Sequence, residues 1–230
     1  MNVRFFIVAI SVMFLMSCGK DNDQLPLMEL NHTFQNNKEG WEVVYSDYPV
    51  GDEGNFEFVF ERTELPEPLD HSKMSLMLGG TNRSDDLFMG LKRKITGLSP
   101  GENYSISFLI EFASNVPDGA VGVGGSPGSS VYVKAGASEI EPVNIVDELN
   151  WYRLNIDKGN QAQEGENMVI LGNFENGTDK DIYTLKTVSN DHKLQMKANN
   201  EGEIWLIIGT DSGFESRTEI YYNRISIEVY

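Results

Sequence analysis

The chain of 230 residues has one cysteine, Cys18. It can form no intramolecular disulfide, so any domain it builds rests on its hydrophobic core. Basic residues are scarce: 18 Lys and Arg stand against 35 Asp and Glu, a formal charge of −17. That balance repels phosphate backbones and anionic headgroups and argues against nucleic acid as a partner. Only three histidines occur, His32, His71 and His192. They lie far apart with neither i,i+4 nor HExxH spacing, which leaves no transition-metal motif. Helical periodicity with caps is nearly missing, and no long apolar run follows residue 16.

What is present begins with an export leader. Arg4 supplies the positive charge, and Phe5 to Met16 is apolar except for Ser11. As a helix this run reaches about 18 Å, short of a hydrocarbon core of about 30 Å, so it suits a translocon better than a permanent span.

Leu15-Met16-Ser17-Cys18 follows, with an aliphatic residue at minus three and a small one at minus one. It resembles the lipobox of bacterial lipoproteins. The resemblance implies that residues 1–17 are a signal peptide, that the Cys18 thiol receives a diacylglycerol, and that the new amino terminus is acylated. Several acyl chains on one residue meet the requirement for stable anchoring. Gly19 is not the aspartate that retains lipoproteins at the inner membrane, which implies the outer membrane. Lys20-Asp21-Asn22-Asp23 resembles the charged tether that sends some lipoproteins to the cell surface. Three parts are expected: the signal peptide, a lipidated polar tether over 18–30, and one domain over 31–230. About 210 residues remain after the leader, within the range of one large β-domain.

That domain reads as a series of strands. Trp41 to Tyr45 is the first expected, and Phe56 to Glu61 alternates with period two. Met74 to Leu78 and Leu87 to Ile95 come next. Gly97-Leu98-Ser99-Pro100-Gly101-Glu102-Asn103-Tyr104 then leads into a strand with Tyr104, Ile106, Phe108, Ile110 and Phe112 on one face. Its Leu-x-Pro-Gly-x-x-Tyr spacing resembles the corner of fibronectin-type and jelly-roll sandwiches, in which a tyrosine hydroxyl ties back to the turn. The stretch Phe34 to Trp41 resembles the opening of galactose-binding-like and carbohydrate-binding jelly-roll modules. Residues 116–136 are rich in glycine around a strand at Val131 to Ala135, a pattern of tight turns or close backbone approach. Later strands are expected at 151–156, 168–171, 183–188, 193–198, 204–208 and 219–229. Ile204 to Ile208 is apolar on both faces, which predicts a central strand between layers. About a dozen short strands make an all-β, antiparallel β-sandwich of jelly-roll type.

Two catalytic motifs lack their context. Gly124-Gly125-Ser126-Pro127-Gly128 fits G-x-S-x-G, yet Pro127 and a strand follow where the hydrolase elbow needs a helix. Asp211-Ser212-Gly213 has the form of one half of an aspartic-protease pair, with no second copy. No catalytic residue is therefore expected. A structural calcium is compatible with the loop carboxylates, with Asp52, Asp85 and Asp86 as its expected ligands. Glycan recognition needs exposed aromatics beside carboxylates or amides. Among the aromatics, Trp205 and Trp41 are expected in the core, while Tyr48 and Trp151 lie beside loops. The expected ligand-binding set is Asp47, Tyr48, Trp151, Asp211 and Glu215, and at least some of Asp47, Tyr48, Asp211 and Glu215 are expected to cluster at one end of the sandwich.

The leading reading is an outer-membrane, surface-exposed lipoprotein whose β-sandwich binds carbohydrate or another ligand without catalysis. The alternative is a structural or assembly lipoprotein with an envelope protein as partner. A third is a glycan-active hydrolase, because paired carboxylates across a sheet are invisible in sequence.

Overall fold

The computed structural model describes residues 25–230. The leader, Cys18 and Lys20 to Asp23 lie outside the described residues. In chain order the strands are β1 (Met28–His32), β2 (Glu42–Ser46), β3 (Tyr48–Pro49), β4 (Val59–Glu64), β5 (Met74–Thr81), β6 (Leu87–Ile95), β7 (Asn103–Ser114) and β8 (Val131–Ser138). They continue with β9 (Asn144–Val146), β10 (Trp151–Leu154), β11 (Met168–Asn173), β12 (Thr184–Ser189), β13 (Leu194–Lys197), β14 (Ile204–Ser212) and β15 (Arg217–Val229).

The first sheet runs β12-β7-β15-β5-β4, with β13 continuing the β12 side and β1 continuing the β5 side. The second runs β11-β8-β14-β6-β2. The pairs are antiparallel, and the chain crosses between these two sheets at β1–β2, β5–β6, β6–β7, β7–β8, β11–β12, β13–β14 and β14–β15, as in a jelly roll. Leu78, Phe108, Phe112 and Tyr222 of the first sheet and Met89, Leu91, Val133 and Leu206 of the second belong to one buried core between them. Burial of these side chains, each worth about 1.5–3 kcal/mol, replaces the missing disulfide.

The corner forms as its motif implied. The Tyr104 hydroxyl accepts from Ser99 N at 2.8 Å, fixing the turn that launches β7. The two-sided run is also explained: β14 is central, and its outer face is covered as well. Ile207 packs there with Val44, Phe88, Leu154, Ile156 and Met168. A small third sheet, β3-β10-β9, and the segment after it supply that cover.

The described chain differs from the sequence reading in three places. Strand β1 starts at Met28, inside the expected tether, and pairs Met28 with Val229. Glu53–Phe56 is a 3-10 turn, and β4 begins only at Val59, because Phe56 and Phe58 turn into an aromatic cluster with Tyr48. Trp205 is half-buried on the outer face of the second sheet, with the Lys92 and Lys94 ammonium groups 5.5 and 5.8 Å from its ring.

Strand β15 carries a bulge. Ile220 and Tyr222 face the core, but so do Ile225 and Ile227, and one extra residue is needed to restore the phase. The register shifts between Tyr222 and Arg224, leaving Asn223 as that residue.

Candidate functional site

The outer face of the second sheet holds an ionic layer. Across β6 and β14, Gly90 pairs with Gly209 and leaves a bed for the Phe88 ring. A Cβ on Gly209 would stand 2.7 Å from Phe88 Cζ. Lys158 Nζ lies 5.6 Å from that ring, and Lys134 extends from β8 opposite Gly209, wholly buried. Its Nζ donates to Asp211 Oδ2 at 2.8 Å, to the Lys158 carbonyl at 3.0 Å and to the Gln163 carbonyl at 2.9 Å. All three ammonium protons therefore have acceptors, as burial of the charge requires.

Asp211 also accepts from Lys158 Nζ at 3.1 Å and from Gln161 N at 2.9 Å. Lys158 in turn lies 3.1 Å from Asp47 Oδ2 and 4.0 Å from Asp86 Oδ1. Arg153 Nη1 donates to Asp47 Oδ1 at 2.7 Å. Burial opposes the Lys158 charge, but Asp211, Asp47 and Asp86 more than offset it and raise its pKa. Burial pushes the Asp86 carboxyl up to about 6, with Lys158 opposing and Asp211 and Asp47 adding to the rise.

Asp47, Asp86 and Asp211 thus offer oxygens within 4.8 Å of one another. Their spacing is that of a cation site, and Lys158 supplies the cation. A calcium ion needs six to eight oxygen ligands. Here an ammonium group already stands among the carboxylates, so the residues present do not fit one. Of the expected calcium ligands, only Asp86 belongs to this group. Asp52 precedes the 3-10 turn, its carboxylate accepting from the Asn55 side-chain amide, and Asp85 is exposed, its carbonyl accepting from Gln161 Nε2 at 2.8 Å. Nor does the cluster offer a hydrolytic pair to a sugar, because Asp211 has no exposed surface and Lys158 bridges it to Asp47.

The remaining expected residues separate. Tyr48 is buried, its ring 5.2 Å from Phe56 and 5.0 Å from Tyr152. Trp151 is half-buried, with the Arg153 guanidinium 4.9 Å from its ring. Ser126 organises a turn, its hydroxyl accepting from Gly128 N and Ser129 N, both at 3.1 Å. Glu215 is exposed and does meet the glycine-rich loop: its amide donates to the Val123 carbonyl at 2.9 Å. A Cβ on Gly124, whose φ is +72°, would stand 2.5 Å from Glu215 Cγ, so only glycine lets that loop lie against β14's end.

At this place the structure opens a cleft of about 250 Å³ that the sequence reading missed. Asn115, Tyr183, Phe214, Arg217 and Glu219 line it, with Pro127 from the glycine-rich loop. Arg217 Nε donates to Glu219 Oε1 at 2.7 Å, and the Tyr183 ring meets Tyr221 edge-on at 5.6 Å. Burial, with Glu219 adding to it, raises both tyrosine hydroxyls, so they stay protonated donors at neutral pH. Ring faces of Tyr183 and Phe214 line it with the Arg217–Glu219 ion pair and the Asn115 amide, which donates to Asp181 Oδ1 at 2.9 Å.

No protein-family model matches the chain, and no curated protein matches it. Among solved structures, the enzymatically active domain of bacteriophage CBA120 tailspike protein 4 is similar over 84% of this chain and 20% of its own, at 11% identity and a TM-score of 0.34. The CBM22-1–GH10 modules of Clostridium thermocellum xylanase 10B are similar over 86% of this chain and 28% of theirs, at 11% identity and a TM-score of 0.40. The present chain therefore spans less than a third of either. The carbohydrate-binding module TmCBM27, which recognises mannan, is similar over 87% of this chain and 98% of its own, at 12% identity and a TM-score of 0.39.

Proposed function

We propose that this protein is a surface-displayed outer-membrane lipoprotein whose β-sandwich binds carbohydrate without catalysis, at the cleft between Tyr183, Phe214 and Arg217. The observation that carries the binding half is the cleft's chemistry. Sugars present apolar ring faces that stack on aromatics and hydroxyls that need paired donors and acceptors. Tyr183 and Phe214 supply the first, and Asn115, Arg217 and Glu219 the second. A volume near the lower end of small-molecule sites, about 300–1,000 Å³, suits one or two sugar rings rather than a large cofactor.

The anchoring half rests on the lipobox and on polarity. Leu27 N donates to the Val229 carbonyl at 2.7 Å, so the chain joins the domain at the end of β15. Arg217, at the cleft, begins the same strand. At about 3.3 Å per residue the two ends lie roughly 40 Å apart. A lipid on Cys18 would hold one pole at the membrane and turn the cleft outward.

Affinity electrophoresis and calorimetry of the full chain against a glycan panel test the binding half. A ligand whose binding is lost in Tyr183→Ala and Arg217→Ala supports it. A panel without a ligand, or binding unchanged in both variants, contradicts it.

One observation favours the envelope-partner reading. The β9–β10 hairpin exposes Ile145, Val146 and Leu149, the last 76% exposed, beside Asp147 and Glu148. That surface suits a basic, apolar protein segment. Cross-linking in native membranes, with Leu149→Asp as the negative control, decides whether one stoichiometric partner docks there.

A further inference from the structure

The first sheet has an interruption on its exposed face. Strand β15 pairs with β5 as far as Tyr222–Leu76 and with β1 from Ile225–His32 onward. Between them, Asn223 and Arg224 pair with no strand on that side among the described residues. The bulge lies at this handover, and a hollow of about 370 Å³ opens there. Thr33 and Gln35, leaving β1, and Ser72 and Lys73, approaching β5, form one wall; Glu111 and Arg224 form the other.

The charges in this hollow are unlike those of the whole chain. Glu111 accepts from the buried Asn223 Nδ2 and, at a long 3.4 Å, from Arg224 Nη2. The other Arg224 nitrogens and Lys73 Nζ have no side-chain partner among the described residues. Asp70 is turned into its own loop, where Oδ1 accepts from Ser72 N at 3.0 Å and Ser72 Oγ at 2.7 Å. Two cations and one carboxylate line the hollow, with Asp70 acting on Lys73 from its loop and Glu39 accepting from Thr33 N behind the wall, on a protein of charge −17. A guanidinium with free nitrogens is the donor fork that carboxylates match in pairs. Gln35, Ser72 and Thr33 add neutral donors and acceptors around it.

We propose that this notch binds the carboxylate of an acidic sugar, a uronic acid or one like it, with Arg224 and Lys73 on the carboxylate and the Gln35 and Ser72 side chains on ring hydroxyls. Naming a sugar as the carrier of the carboxylate rests on the glycan-binding reading above; the site itself does not. The notch lies about 20 Å along β15 from the cleft, too far for one monosaccharide to touch both.

The test is calorimetry of the full chain with trigalacturonate and with neutral galactotriose, in wild type, Arg224→Gln, Lys73→Gln and Tyr183→Ala. Trigalacturonate binding is expected to weaken about tenfold in each notch variant, as loss of one charge-assisted contact does. It should persist in Tyr183→Ala and fall as salt rises. Equal trigalacturonate binding in wild type and both notch variants overturns the proposal, as does loss in Tyr183→Ala alone, which leaves the cleft standing. Notch-dependent trigalacturonate binding with no effect of Tyr183→Ala on either sugar supports the notch and removes the cleft. Galactotriose binding without trigalacturonate binding overturns the notch only. Unchanged circular dichroism and melting in Arg224→Gln, a surface change, excludes misfolding as the cause.

Discussion

Lys134 Nζ donates to Asp211 Oδ2 at 2.8 Å with both side chains wholly buried. The contact joins β8 to β14 on the face that the third sheet and Lys158 cover. Removing one member of such a pair strands the other charge without water, at a cost of about 3–5 kcal/mol. Lys134→Met and Asp211→Asn are each expected to lower unfolding free energy by about that amount in urea titrations. The double change Lys134→Met/Asp211→Asn should cost less than the sum of the two single changes, because neither member of the pair is left charged and Lys158 keeps Asp47. Additive losses would mean that the pair is not coupled.

Lys158 stands where a metal ion would otherwise neutralise Asp47, Asp86 and Asp211. Wild-type melting should therefore be indifferent to millimolar calcium. Lys158→Met should melt lower in chelator and recover in part when calcium is added, since three carboxylates are then left to share a cation. A calcium-dependent wild type, or a variant blind to calcium, contradicts the substitution of ammonium for metal.

Asp86 sets a slope of stability with pH. Its folded-state carboxyl is pushed up to about 6, above the ordinary 3.8, so between these values the folded chain holds more of this proton than the unfolded chain does. Its contribution to stability is largest at low pH and is lost as pH rises through about 6. Compared with wild type, Asp86→Asn should gain about 1 kcal/mol at pH 7, after allowance for solvent at this partly exposed group, and nothing near pH 4. Parallel stability curves for the two proteins would contradict it. The comparison isolates this carboxyl from others, such as Glu39, whose lowered pKa acts in the opposite sense.

The Tyr104 hydroxyl is the acceptor for Ser99 N at 2.8 Å. Tyr104→Phe keeps the buried ring and removes that acceptor, so a loss of about 0.5–1.5 kcal/mol is expected in chemical denaturation. No change would mean that Ser99 finds another acceptor at no cost.

These relationships were legible in the sequence to different degrees. Alternation in Tyr104 to Phe112 and the turn before it were enough for the sandwich and its corner, because period-two burial is a local property. The two-sided run from Ile204 marked a doubly covered strand, and its cover turned out to be the short third sheet, whose β3 and β9 are too brief to carry a period. Strand β1 was hidden because Met28-Glu29-Leu30-Asn31-His32 is as polar as a tether and becomes a strand by pairing with β15. Lys134 carried no readable signal: it is out of phase with Val131, Val133 and Ala135, so alternation places it on the outer face, and only the cover over that face buries it. The slip of phase between Tyr222 and Ile225 announced the bulge. Asp47 and Asp211, both named from sequence, meet through Lys158, which no spacing indicated. The cleft was illegible, since Asn115, Tyr183 and Arg217 meet only because β7, β12 and β15 are neighbours in the first sheet, a pairing that local periodicity does not give.

In the proposed function, a lipid on Cys18 displays a glycan-binding cleft away from the membrane. The decisive measurement adds a fluorescent glycan, chosen from the panel, to intact cells producing wild type, Cys18→Ala or Tyr183→Ala. Wild-type cells should retain the label, Cys18→Ala cells should release both protein and label to the medium, and Tyr183→Ala cells should carry the protein at the surface without label. Labelling that is equal in all three would contradict the claim.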